Sequence, residues 1–115
     1  FAQAHNIAVD DQGDVYIAGE LTGPVDFGAG SMSPTAAADG FVVKYSKSGT
    51  LLWFHHITGD KSSIDFIKAD YVLMGPESSV VVAGTFTGSI TIDGQRFAQQ
   101  SDTQGIFIYS FEAPN

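Results

Sequence analysis

The chain nearly repeats itself. Displaced by 65 positions, residues 1–45 lie over residues 66–110 without a gap. Eight of the pairs are identical: Phe1/Phe66, Ala4/Ala69, Val15/Val80, Ala18/Ala83, Gly19/Gly84, Thr22/Thr87, Gly23/Gly88 and Gly40/Gly105. Chance gives about three for a typical composition. The apolar pattern follows the same shift at Ile17/Val82, Leu21/Phe86, Val25/Ile90, Phe27/Ile92, Phe41/Ile106 and Val43/Ile108. A chain with this self-similarity folds as two versions of one unit, residues 1–65 and residues 66–115.

Each unit reads as short strands. In the first, Asn6–Asp10 is a brief strand and Asp11-Gln12-Gly13-Asp14 a turn, because Asp and Gly supply local hydrogen bonds and a positive φ. Val15–Leu21 is rich in β-formers, and Thr22-Gly23-Pro24 breaks it. Val25–Phe27 is a short extended piece, and Gly28–Ala38 a loop of small residues. Phe41–Tyr45 and Leu51–Thr58 are strands joined by the turn Ser46-Lys47-Ser48-Gly49. The second unit repeats this at Val72–Met74, Val80–Phe86, Ile90–Ile92 and Ile106–Phe111, with Gly94–Thr103 as its loop. It ends without a counterpart of Leu51–Thr58. No segment holds a helical period over three turns; the nearest is Ser62–Tyr71.

In Val15–Gly19 and Val80–Gly84 no polar residue alternates with the apolar ones. Strands apolar on both faces are layered between neighbours. Gly19 and Gly84 inside them predict a close backbone approach. The expected fold is therefore all-β, made of four-stranded antiparallel sheets stacked face to face, the second sheet lacking its last strand.

Charge narrows the partners. Five Lys and Arg stand against thirteen Asp and Glu, a formal net charge of −8. Phosphate backbones and anionic lipid both require a basic surface, so nucleic acid and membrane docking are disfavoured. No stretch approaches the roughly 20 apolar residues of a membrane-spanning helix. There are no cysteines, which removes disulfides, thiol catalysis and Cys-ligated zinc. The chain opens at Phe1 with neither Met nor signal peptide, and reads as an internal segment or processed product.

Candidate chemistry is sparse. His55 and His56 are neighbours in a strand, so they point to opposite faces and do not share a metal; His5 is the third histidine. Asp10-Asp11-Gln12-Gly13-Asp14 carries oxygen ligands but not the spacing of a calcium loop, and reads as a β-turn. Asp26 and Asp39 would need to approach each other to act as a glycosidic carboxylate pair. Ser, His and Asp all occur, without a Gly-x-Ser-x-Gly elbow. Gly28-Ala29-Gly30 has no following helix or Lys to cradle phosphate. Trp53, Phe54, Phe27 and Phe41 suit either a sugar-stacking face or the packing between sheets, and packing is preferred. No catalytic, cofactor-binding or metal-ligating residue is assigned, and no cofactor is expected.

Residues Ile7 to Gly59 resemble the SBBP-type β-propeller repeat. The matching residues are Ile7-Ala8-Val9-Asp10, Gly13-Asp14-Val15-Tyr16-Ile17-Ala18-Gly19, Thr22-Gly23, Val25-Asp26-Phe27-Gly28, Asp39-Gly40-Phe41-Val42-Val43-Lys44-Tyr45 and Ser48-Gly49-Thr50-Leu51-Leu52-Trp53. In the second unit Val81-Val82-Ala83-Gly84-Thr85-Phe86-Thr87-Gly88 and Gly105-Ile106-Phe107-Ile108-Tyr109 fit, while Met74-Gly75-Pro76-Glu77 and Gln104 depart. The resemblance implies a partial propeller segment of a secreted or cell-surface bacterial protein, one blade complete and one lacking its last strand. It implies no catalytic residues, since the family has none in common. Two blades cannot close a ring of about four to eight. The expected partners are the rest of a longer propeller chain or further copies of this one. A protein or glycan would be met through the loops Gly28–Ala38 and Gly94–Thr103. The alternatives are a blade pair of a glycoside-active or quinone-dependent propeller enzyme, the latter because Gly49–Trp53 is loosely similar to quinoprotein blades, or a structural spacer in an adhesive or filamentous protein.

Overall fold

The structure is a computed structural model and describes residues 2–59, 65–98 and 104–111. Eleven strands lie among them: β1 (Ala2–Val9), β2 (Val15–Leu21), β3 (Val25–Asp26), β4 (Ser31–Met32), β5 (Asp39–Tyr45), β6 (Leu51–Gly59), β7 (Ile67–Met74), β8 (Val80–Phe86), β9 (Ser89–Ile92), β10 (Gln95–Ala98) and β11 (Gly105–Phe111). A single 3-10 turn, Pro76–Ser78, joins β7 to β8. The segment from Ile67 that was the nearest approach to a helical pattern is strand. The fold is all-β and every strand pairing is antiparallel.

The first unit forms an antiparallel meander in the order β1-β2-β5-β6. Its turns are where the Asp and Gly signals stand. Gly13 takes φ 86° and donates its N–H to the Asp10 carbonyl; Gly49 takes φ 92° and donates to Ser46. The second unit forms a three-stranded meander, β7-β8-β11. None of the sheets closes on itself among the described residues.

The two units share their register. β1 and β7 span positions 65 apart, as do β2 and β8. Ala2 pairs with Leu21 and Ile67 with Phe86; Ala4 pairs with Gly19 and Ala69 with Gly84. Both first strands also bulge at the same place, one between Ala4 and Asn6 and the other between Ala69 and Tyr71. A β-carbon at Gly19 would strike the Gln3 carbonyl, and one at Gly84 the Lys68 carbonyl. The glycines are therefore required by the bulged strand beside them, which is the close approach their position predicts. The short hairpins correspond too: β3–β4 pairs Val25 with Met32, and β9–β10 pairs Ile90 with Phe97.

The third strands correct the gapless alignment. Gly19 pairs with Phe41, but Gly84 pairs with Phe107 and not with Ile106. The offset is thus 65 as far as Phe97 and 66 from Gly105 onward. Aromatic packing over glycine sets this register: a β-carbon on Gly19 would meet the Phe41 ring, and one on Gly84 the Phe107 ring. Side chains alternate faces, so a one-residue slip exchanges the two sides. Ile106 and Ile108, matched by sequence to Phe41 and Val43, instead point outward and are 79% and 74% exposed.

The sheets stack with unlike faces together. Tyr16, Ala18, Val42 and Ile57 of the first sheet are buried against Ile67, Ala69, Val72, Val80 and Val82 of the second. Each fully buried Ile or Val here contributes about 1.5–3 kcal/mol relative to exposure. Asn6 fixes the level of stacking, since its Oδ1 accepts the Val72 N–H at 3.0 Å. The opposite face of the first sheet, with Leu21, Phe41 and Val43, is covered by Val25, Phe27 and Met32. The Phe27 ring lies 4.7 Å from that of Phe41, and the Tyr45 hydroxyl donates to the Phe27 carbonyl at 2.8 Å.

Four further expectations change. The first strand is longer than Asn6–Asp10, because its N-terminal half pairs across the bulge. The loops Gly28–Ala38 and Gly94–Thr103 contain strands β4 and β10. β9 and β10 extend the first sheet through the pairs Thr58–Thr91 and Gly59–Ile90, giving six strands. Layering on both faces holds for β2 but only for one face of β8 among the described residues. Residues 99–103 of the second loop and Glu112–Asn115 lie outside the described residues.

Candidate functional site

The most concentrated polar cluster surrounds Asp39, at the start of β5. Its side chain has 0% exposure. Burying a carboxylate is tolerable only with full hydrogen bonding. Oδ2 accepts the Thr35 N–H at 2.7 Å and Oδ1 the Ala36 N–H at 3.1 Å. The Thr35 hydroxyl lies 3.1 and 3.0 Å from the two oxygens. His56 Nε2 stands 2.6 Å from Oδ2. Thr35 Oγ1 also accepts the Gly59 N–H at 3.1 Å. One carboxylate thus ties the incoming loop to β5 and β6. Sequence reading considers Asp39 as a carboxylate pair with Asp26; the partner it misses is His56, which the antiparallel register sets opposite Phe41, on the face that Asp39 shares.

Asp26 is elsewhere and otherwise engaged. It is exposed, and its Oδ1 accepts the N–H groups of Gly28 and Gly30 at 2.8 and 3.1 Å. No hydrogen bond or ion pair joins Asp26 to Asp39 among the described residues. The same geometry closes the phosphate question: the amides of Gly28 and Gly30 already point at a carboxylate.

The Asp10 turn is a self-satisfied knot. Oδ1 accepts from the Gln12 and Asp14 N–H groups at 2.9 and 3.0 Å, and Oδ2 from the Tyr16 hydroxyl at 2.9 Å. Lys44 Nζ lies 3.8 Å from Asp14 and 4.0 Å from Asp10. Burial would raise the Asp10 pKa, but the hydrogen bonds from Tyr16, Asp14 and Gln12 and the Lys44 charge outweigh it and hold the carboxyl below its ordinary range. The turn reading stands.

His55 and His56 do face opposite ways. His55 lies between the sheets, its ring stacked 4.0 Å from Phe111 and edge-on to Trp53 at 4.9 Å. Burial pushes the His55 imidazole pKa down, against a smaller opposing pull from Asp93. His5, the bulged residue of β1, sits 2.8 Å from Glu20 Oε1. No group of three His, Asp or Glu side chains forms a metal site among the described residues.

The aromatic residues are packing elements. Trp53 meets Tyr16 edge-on at 5.9 Å and Phe111 at 6.4 Å. Phe54 lies 6.5 Å from Phe27. An open apolar cleft of about 240 Å³ runs along β11 between Phe86, Ile92, Phe97 and Tyr109. In the first unit the corresponding space is filled by Leu51 and Phe54 of the fourth strand.

Comparison with protein-family models, with curated proteins and with solved structures finds no match to this chain.

Proposed function

We propose that this chain is a non-enzymatic interaction and scaffold module, a pair of blades from a β-propeller protein that is secreted or held at a bacterial cell surface, and that it binds a protein or glycan partner through its connecting loops. The meander repeated in register supports blades. The SBBP-type resemblance over Ile7–Gly59 supports the extracellular setting.

One observation carries the reading. Among the described residues, the best-connected polar side chains hold the fold: Asp39 with His56 and Thr35, Asp10 with Tyr16, His5 with Glu20. What remains outward are the two connections that leave the ends of β2 and β8. The bridge Ala38–Phe66 and the pair Thr58–Thr91 hold these ends side by side. Their tips, Gly28–Gly30 and Asp93-Gly94, are exposed. Rigid sheets presenting variable tips are the usual geometry of recognition.

Glycan and protein arrays probed with the chain test this. Binding without turnover is expected, and it should be lost when Ala29→Arg and Gln95→Arg alter the tips. Binding unaffected by those changes, or turnover of a bound glycan, would contradict the reading.

A further inference from the structure

The second sheet leaves bare the very face that the first sheet has covered. On the outer side of β7, β8 and β11 stand Tyr71, Leu73, Val81, Ala83, Ile106 and Ile108. Tyr71 and Ile108 flank Ala83 directly in the register. Under the offsets of 65 and 66 these positions correspond to Asn6, Ala8, Tyr16, Ala18, Gly40 and Val42. In the first sheet Ala18 and Val42 are both 0% exposed, because the second sheet lies on them. Among the described residues nothing covers their side of the second sheet: Ile108, the counterpart of Val42, and Ile106, the counterpart of Gly40, are among the most exposed apolar residues.

The matching half is open along β1: Ile7 and Val9 are exposed, while Ala2 and Ile17 are partly buried beside Leu21, Phe41 and Val43. The second sheet covers the first with Ile67, Val72 and Met74 of β7 and Val80 and Val82 of β8. The equivalents in the first unit are Ala2, Ile7, Val9, Val15 and Ile17. Ile7 is 62% exposed, whereas its counterpart Val72 is 1% exposed. The hairpin β3–β4 packs with Leu21 at the end of β2 and with Phe41, Val43 and Phe54 of β5 and β6, and Ile7 and Val9 of β1 stay in the open.

We propose that a second copy of this chain docks there, the β1–β2 face of one molecule covering the β7–β8–β11 face of the next. Residue size supports the fit. Inside the chain, Gly40 leaves room for Ile67: a β-carbon at Gly40 would stand 3.1 Å from Ile67 Cγ2. Between copies the bulk changes sides, Ile106 replacing Gly40 and Ala2 replacing Ile67. Large meets small in both contacts, the rule of interdigitating layers. The two surfaces differ from each other, so the contact is head-to-tail and does not end at a dimer. The net charge of −8 opposes it, so association strengthens as salt screens that charge.

This inference rests on the stacked-sheet part of the proposed function and is independent of loop-tip binding. The test is light scattering with size exclusion on the full chain and on two exposed-site variants, Ile108→Lys on one face and Ile7→Lys on the other. The wild type is expected to exceed the dimer mass as concentration and salt rise. Each variant alone should stay at the 12.2 kDa of one chain. An equimolar mixture of the two should form a one-to-one complex of twice that mass, because each retains the face the other has lost. Formation of that complex also shows that both variants fold; Ile106→Lys serves as the second variant if Ile108→Lys does not. A monomeric wild type, a mixture that stays monomeric, or a variant that self-associates by itself would overturn the proposal. Array binding by a wild type that stays monomeric would leave loop recognition standing while the docking failed.

Discussion

His55 of β6 stacks on Phe111 of β11, the rings 4.0 Å apart and 17° from parallel. A titratable ring from the first sheet is thereby clamped by the last described strand of the second. Its pKa is lowered by burial from the ordinary 6.5. The unfolded chain therefore takes up the proton more readily, and stability falls as pH drops through 6.5 toward the lower folded value. Urea midpoints should be lower at pH 5.5 than at pH 7.5. In His55→Phe, which keeps the stacking and removes the proton site, that difference should shrink. An unchanged difference in the variant would show that another group controls this range.

Asp10 predicts a separate transition at more acid pH. Its folded pKa is depressed below the ordinary 3.8. Its contribution is present above 3.8 and is lost as pH falls through the folded value. Asp10→Asn should therefore flatten the acid limb of the stability profile, below about pH 4, and leave the His55 range unaltered. Circular dichroism across an acid titration checks this.

Asp39→Ala would strand the Thr35 and Ala36 N–H groups and the His56 ring in a buried site. Breaking such a network costs about 3–5 kcal/mol. Asp26→Ala removes an exposed carboxylate and should cost less than about 1 kcal/mol. Equilibrium denaturation of the pair separates the buried cluster from the surface turn; equal effects would contradict the assigned roles.

Gly19→Ala and Gly84→Ala should each destabilise by about 1–3 kcal/mol, since neither backbone carbonyl beside them yields easily. Similar losses at both positions are expected, because the two bulges match. Trp53→Ala should cost about 3–5 kcal/mol for its packing against Tyr16 and Phe111. Trp53→Phe should cost much less, because the buried Nε1 has no hydrogen-bond partner to lose among the described residues. Thermal unfolding measures all four.

Much of this architecture was legible. β2 and β8 appear as read, because β-branched residues and the Thr-Gly breaks define them. What escaped the sequence depended on pairing across distance. The extra residue before β11 was invisible because Gly40 and Gly105 align as identical, and the Gly84–Phe107 contact that overrides that match is a tertiary one. β10 carried a local signal that went unread: Asp93 and Gly94 both take positive φ, 52° and 80°, and Asp-Gly between alternating apolar residues marks a two-residue hairpin. The union of Asp39 with His56 could not be seen, since 17 residues separate them and only the β5–β6 register brings them together.

The account depends on the second sheet lying on the first through unlike faces. Nuclear Overhauser contacts in the folded chain measure this directly, from the Ile67 methyls to the Gly40 α-protons and from the Phe111 ring to His55. The account predicts both, with the Ile108 methyls remote from the first sheet. Contacts from Ile108 to Ala18 or Val42 within one molecule, with those of Ile67 missing, would contradict it.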